Sequence, residues 1–357
     1  MRKLLLVGTA LGALSFAMPA FAGGGYDGHG GGPSPKPQNP TLELSLVAAL
    51  AGNDGTVAGN TATTQSQSIL TNISGGSFNG AKGMTNVNQN AGANSALQNA
   101  LSVSYIQGCD CASTPTYTVA AGGALAAAGN TGSVESNSST AERTIVGYQG
   151  GGWPHSDTMG GGGPQFTPIY GSDNLVTANI DSSFNGVNGV FQVNQNSGDN
   201  SLLQNSAAVT SASQLKGVTD VGGSIALAGN SGTVFGSGNS AYADHTHASG
   251  SISNSFNGSS GEMNVNQNVG ANSLLQNASA IASLQFCNCA TDNISLAVAA
   301  AGNDGSVLGN RAELSNGSNG VSMTNSFSGA QGLINVSQNA GANSLLQNAV
   351  SVGSVTH

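Results

Sequence analysis

The sequence predicts an all-β fold, a stacked β-solenoid of amyloid-like character, and three observations carry that expectation. First, one amide-rich phrase is written four times: NVNQNAGANS from Asn86, QVNQNSGDNS from Gln192, NVNQNVGANS from Asn264 and NVSQNAGANS from Asn335. Second, another phrase alternates with it: AGNDGTVAGN from Ala51, AGNTGSV from Ala128, AGNSGTV from Ala228 and AGNDGSVLGN from Ala301. The step is nearly constant, with 36 places from Asn53 to Gln89, 37 from Asn230 to Gln267 and 35 from Asn303 to Gln338. Third, the phrases alternate with period two. Ile334, Val336, Gln338 and Ala340 interleave with Asn335, Ser337 and Asn339, the signature of a strand.

Each element follows from those residues. The two phrases align with each other, sharing Ala-Gly at the start, Leu near the end and a closing Asn. The chain therefore reads as about eight strand-turn-strand repeats of about 36 residues, in four pairs. AGAN supplies the small residues and Asn that let a backbone turn sharply. Leu346, Val350 and Val352 line one face of a second strand. A short helix from Asn343, capped by Ser344 and Gln347, is the rival reading; the β-branched tail and Gly-rich flanks favour the strand.

Around the repeats, Arg2 and Lys3 precede an apolar run ending in AFA at Ala22, which reads as a secretory signal peptide over residues 1–22. The Gly/Pro-rich stretch 23–43 reads as a flexible leader, and 44–357 as the repeat domain. Asn130 to Gln195 is 65 places, so a Gly-rich insertion at about 143–171, holding Trp153, interrupts the array where a rung turns at the surface. Charged residues are only 6% of the chain, against roughly 25% in an ordinary domain. The net charge of -9 gives no basic footprint, so nucleic acid is not an expected partner.

No single repeat has enough apolar surface for a core, and stacking supplies one. If each segment forms one layer, successive layers lie about 4.8 Å apart and identical residues superimpose. Gln89, Gln195, Gln267 and Gln338 then form one row. Asn94, Asn200, Asn272 and Asn343 form a second, and Gln98, Gln204, Gln276 and Gln347 a third. A stacked primary amide donates to one neighbour and accepts from the other, so its column satisfies itself in a dry interior. A column of Lys or Glu would repel itself. Phe78, Phe184, Phe256 and Phe327 form an aromatic row.

With these rows in place, QNAGANSALQNA from Gln89 resembles the curlin repeat of bacterial curli fibres, although curlin repeats are shorter. The period and the phrase GLINVSQNAGANSLLQNAVSV from Gly332 are similar to the repeats of Fap-type functional amyloid subunits. The resemblance spans most of residues 44–352. It implies a secreted subunit that self-assembles into β-rich extracellular fibres at the surface of a Gram-negative bacterium, in biofilm, adhesion or surface coating. It also implies an outer-membrane export pore and a nucleator as partners. The last segment ends LLQNAVSVGSVTH with neither a charged cap nor a proline, so its layer is expected to template another copy. A monomeric β-solenoid adhesin and a disordered matrix filler are the alternatives.

The residues able to carry chemistry are few. Cys109 with Cys111, and Cys287 with Cys289, are disulfide candidates in a secreted chain, with free thiols or thiolate metal binding as the alternatives. Asp244, His245 and His247 lie in a variable link and read as a solvated loop rather than a metal site. Asp54 and Asp304 read as turn residues, because Thr131 and Ser231 occupy the matching positions. No nucleophile elbow, phosphate loop or pair of catalytic carboxylates is found, so an enzyme is not expected and no cofactor or metal is assigned.

Overall fold

The computed structural model describes residues 41–65, 68–107, 118–142, 145–150, 166–170, 173–213, 219–235, 239–285 and 292–356. The predicted signal peptide, the leader up to residue 40, Trp153 and the four cysteines lie outside these residues.

Every regular element described is a strand, and the strands form four layers in chain order. Layer 1 comprises β1 (Thr41–Ala58), β2 (Thr61–Gln65), β3 (Ser68–Ile73), β4 (Lys82–Asn90) and β5 (Ala96–Gln107). Layer 2 comprises β6 (Thr118–Glu135), β7 (Ser138–Glu142), β10 (Asn174–Asp181), β11 (Asn188–Asn196) and β12 (Leu202–Ser213). Its insertion holds a two-stranded antiparallel hairpin of β8 (Ile145–Gly150) and β9 (Phe166–Tyr170). Layer 3 comprises β13 (Thr219–Phe235), β14 (Ser240–Asp244), β15 (Thr246–Ser253), β16 (Ser260–Asn268) and β17 (Leu274–Gln285). Layer 4 comprises β18 (Asp292–Leu308), β19 (Arg311–Ser315), β20 (Ser318–Thr324), β21 (Gln331–Asn339) and β22 (Leu345–Thr356). Corresponding strands pair in parallel and in register, giving five four-stranded sheets such as β1-β6-β13-β18 and β4-β11-β16-β21.

The stacked, all-β expectation holds, but the unit that stacks is different from the one expected. Amide phrases lie over amide phrases and AGN phrases over AGN phrases, so Gln267 sits over Gln195 at a separation of 72 residues and Gln338 over Gln267 at 71. One layer is thus a pair of the 36-residue segments rather than a single one. The physical reason lies in the cross-section. The β3-type strand packs on one face of the β4-type strand, where Ile180, Phe191, Val193, Ile252, Met263 and Val265 form a buried apolar cluster. The β5-type strand covers the other face through amides, and its own far side meets the β1-type strand in a cluster of alanines that includes Ala126, Ala208, Ala226 and Ala280. In the middle layers, β11, β12, β16 and β17 are consequently buried along both faces. A lone segment would leave its central strand bare on one side, and folding two segments together removes that cost.

Two local features fix the layer outline. The Ser-Phe-Asn-Gly turns of layers 1 to 3 and the Ser-Phe-Ser-Gly turn of layer 4 hold Phe78, Phe184, Phe256 and Phe327 at φ of 59°, 58°, 60° and 61°, a region a bulky side chain rarely occupies. Their rings stack with centroids 4.8, 4.8 and 4.7 Å apart, so burial in a column holds each turn in this conformation. The AGAN-type turns (AGAN in layers 1 and 4, SGDN in layer 2, VGAN in layer 3) need glycine because the layers touch there. A Cβ on Gly198 would lie 2.1 Å from the carbonyl oxygen of Gly270 in the layer above. Gly198→Ala is therefore expected to push layers 2 and 3 apart and to lower folded stability by about 3 kcal/mol, read as a fall in the guanidinium midpoint.

Candidate functional site

The residues that set this chain apart form columns, and their hydrogen bonds have a direction. Gln338 Nε2 donates to Gln267 Oε1 at 2.7 Å, Gln267 to Gln195 at 2.9 Å and Gln195 to Gln89 at 3.2 Å. A second column runs the same way, from Gln347 to Gln276 at 2.6 Å, Gln276 to Gln204 at 2.7 Å and Gln204 to Gln98 at 2.6 Å. In Gln89, Gln98, Gln195, Gln204, Gln267, Gln276 and Gln338 the amide also reaches a backbone carbonyl, which fixes its orientation. Gln267 Nε2 donates to Ala178 O at 2.8 Å and to Ser251 O at 3.1 Å, for example, so its nitrogen cannot exchange places with its oxygen.

The third predicted row behaves differently. Asn94, Asn200 and Asn272 superimpose but form no ladder among themselves. Each has positive φ, of 53°, 51° and 53°, which aims its amide sideways. Asn94 Nδ2 donates to Ser138 O at 3.0 Å, Asn200 to Ser240 O at 3.0 Å and Asn272 to Arg311 O at 2.7 Å. Each clips the AGAN turn of one layer to the start of the short strand in the next, and the side-chain oxygens of Asn200 and Asn272 have no hydrogen-bond partner. Asn343, in the outermost layer, shares their conformation at φ 54°.

Sequence reasoning missed three further columns. Asn339, Asn268, Asn196 and Asn90 form a ladder with steps of 2.7, 2.8 and 2.8 Å. Asn88, Asn194 and Asn266 interlock with Asn99 and Asn205 between the two central strands, as in Asn194 Nδ2 to Asn99 Oδ1 at 2.8 Å. The Asn of the AGN phrase ladders as well, but in the opposite direction. Asn53 Nδ2 donates to Asn130 Oδ1 at 2.9 Å, Asn130 to Asn230 at 2.9 Å and Asn230 to Asn303 at 2.8 Å. Recurrence at one offset was the signal that could have found all three, with Ser337 standing in for the Asn88-type residue in layer 4.

The other candidates are placed as follows. His245 Nδ1 lies 2.9 Å from Asp244 Oδ2, at a bend where His245 has φ 49°, and His247, on the following strand β15, has Nε2 3.5 Å from Oδ2 of Asp173, just before β10. Hydrogen bonds from Asn316 and then His245 hold the Asp244 carboxyl below its ordinary value. Asp54 and Asp304 are not turn residues. They lie within β1 and β18, pointing away from the core side that Asn53 and Asn303 occupy, because neighbours along a strand alternate faces.

One acid is buried deep in the stack. Glu262 sits in a column with Met84, Val190 and Leu333, and the residue facing it, Ser279, sits in a column with Leu101, Ala207 and Val350. Layer 3 alone replaces an apolar pair with a carboxyl and a hydroxyl. Ser279 Oγ donates to Glu262 Oε1, while Oε2 has no partner. Burial pushes this carboxyl up to about 8, outweighing the hydrogen bonds from Ser279 and Asn264. Folding therefore holds a proton that the unfolded chain releases. The stability linked to this group is complete below the ordinary value of 4.5 and falls as pH rises toward 8. Glu262→Gln should match the wild type in guanidinium resistance at pH 4 and exceed it at pH 8. Removing one ladder member is costlier: Gln267→Leu strands Gln195 Oε1 and Gln338 Nε2, and should lower stability by about 3 kcal/mol at either pH in the same assay.

Columns of this kind hold a stack of layers together. No curated protein and no solved structure matches the chain. The model of the functional amyloid protein FapB/FapC family matches residues 38–212 and 165–355, segments that together cover all four layers. The chain belongs to the functional amyloid FapB/FapC family.

Proposed function

We propose that this chain is the structural subunit of an extracellular amyloid-like fibre that grows end to end, with layer 4 of one copy seated on layer 1 of the next. The observation that carries this reading is the polarity of the columns. At the layer 4 end, the Gln338 and Gln347 columns finish on amide oxygens that accept from no further layer. At the layer 1 end they begin with the amides of Gln89 and Gln98. The Asn53 column runs the other way and finishes in the opposite sense at both ends. Layer 4 on layer 1 continues all these columns donor to acceptor. Two like ends would set acceptor against acceptor in some of these columns and donor against donor in the others. A contact between unlike faces does not close on itself, so it propagates.

Apolar exposure supports the same contact. Phe78 is 42% exposed at the layer 1 end whereas Phe184 and Phe256 are 0% exposed inside, and Leu46, Leu70 and Met84 are open beside it. Leu296, Leu308 and Met323 are open at the other end. A monomeric adhesin would keep both faces in water, which is unfavourable for surfaces of this kind. Secretion through the predicted signal peptide, an outer-membrane export pore and a nucleating partner belong to this proposal, as does a role in biofilm, adhesion or surface coating.

Gly341 provides the test. Gly198 and Gly270 each abut the glycine of the layer above, but Gly341 meets only Ser344 Oγ at 3.0 Å and Asn339 Oδ1 at 3.5 Å within its own copy. Gly341→Ala should fold like the wild type yet present a Cβ to the Gly92 carbonyl of an incoming copy. It should slow seeded elongation about tenfold or more and, mixed substoichiometrically with wild-type subunits, act as a chain terminator at layer 4 ends. Elongation of this variant at the wild-type rate would refute end-to-end addition in register.

A further inference from the structure

The outer face of the β1-β6-β13-β18 sheet carries a column with charge only at its two extremes. Asp54 in layer 1 pairs with Thr131, Thr131 with Ser231, and Ser231 with Asp304 in layer 4. Both aspartates are exposed. Among the described strand registers, this is the column with a carboxylate in both outermost layers; the charged ends of other columns meet neutral residues, as Lys82 would meet Gln331 and Glu313 would meet Thr63.

Within one subunit the two aspartates are three layers apart, about 14 Å, with neutral hydroxyls between them. Seating layer 4 on layer 1 brings Asp304 of one copy directly over Asp54 of the next, about 4.8 Å away along the stack. We propose that this pair makes the subunit junction charge-gated: each added subunit must juxtapose two carboxylates, so the junction closes readily only when their repulsion is screened. This rests on the end-to-end reading above.

The surroundings do not offset the repulsion. Thr131 and Ser231 are neutral, and Glu135, four residues along β6 from Thr131 and therefore on the same face, has the same sign. Arg311 lies on the neighbouring edge sheet and is paired with Glu313 at 3.1 Å. Two like charges at this separation on a solvated face weaken association by about 4- to 10-fold. Inside a subunit the same position is free of charge, so the gate acts on addition and not on folding.

Charge reversal tests this at constant pH. At pH 7 and low salt, Asp304→Lys and Asp54→Lys should each elongate on their own seeds about 4- to 10-fold faster than the wild type, because each creates an opposite-charge junction. The double variant Asp54→Lys with Asp304→Lys should fall back to the wild-type rate or below. Glu135→Lys, which makes the same change in net charge inside layer 2, should not reproduce the single-variant gain. High salt should erase the differences. Additive gains in the double variant, or an equal gain from Glu135→Lys, would overturn the gate while leaving end-to-end growth intact. If Gly341→Ala also elongates normally, the end-to-end reading itself falls.

Discussion

Parallel in-register stacking imposes one severe rule on side chains: whatever stands at a position must tolerate its own kind, or a neutral substitute, directly above and below. Most polar groups fail. Charges of one sign repel at that spacing, and a buried hydroxyl satisfies little by itself. A primary amide succeeds because it carries donor and acceptor on one rigid plane. The Gln195 and Gln204 columns show the arrangement in full, each nitrogen serving the layer below and a backbone carbonyl at once. The low charge and the amide-rich phrases of this chain are two aspects of that rule.

Opposed column directions add a second constraint. Were every amide ladder aligned, the stack would carry a net dipole growing with each layer. Here the Asn53 column runs against the Gln columns, so the dipoles partly offset while each end retains a definite sense. The two faces of the subunit are therefore unlike each other even though the four layers are closely similar in sequence. Glu262 marks the layers as non-equivalent in another way, since layer 3 alone needs a neutral carboxyl opposite a serine. Buried polar pairs are retained elsewhere as register devices, and a stack of near-identical layers is a setting in which slipping by one layer would otherwise cost little.

Much of this was legible in the residues. The fold class, the rows of Gln89 and Gln98 and the aromatic row follow from period-two alternation and from recurrence at fixed offsets. The spacing of about 36 misled because it measures a segment, whereas stacking is set by which faces remain uncovered; the segments of a pair cover each other, and only a tertiary contact reveals it. The sideways bonds of Asn94, Asn200 and Asn272 were hidden for a related reason. Periodicity reports that residues superimpose, but the direction of an amide depends on the φ of the turn that bears it. Asp54 and Asp304 were read as turn residues because Thr131 and Ser231 stand at the matching positions, yet the AGN phrase runs straight through in an 18-residue strand in layers 1 and 2, because the glycine beside the aspartate admits the Gln side chain of the facing strand.

Among the described residues, a hairpin like β8 and β9 is inserted in layer 2 alone, between the short strand β7 and β10. Whatever it presents is therefore displayed once per subunit. In an unbroken file of subunits, four layers of about 4.8 Å set the interval between successive hairpins at about 19 Å. In the proposed fibre, the insertion would turn a uniform rod into a regularly spaced scaffold, with decoration density governed by how many rungs each chain contributes.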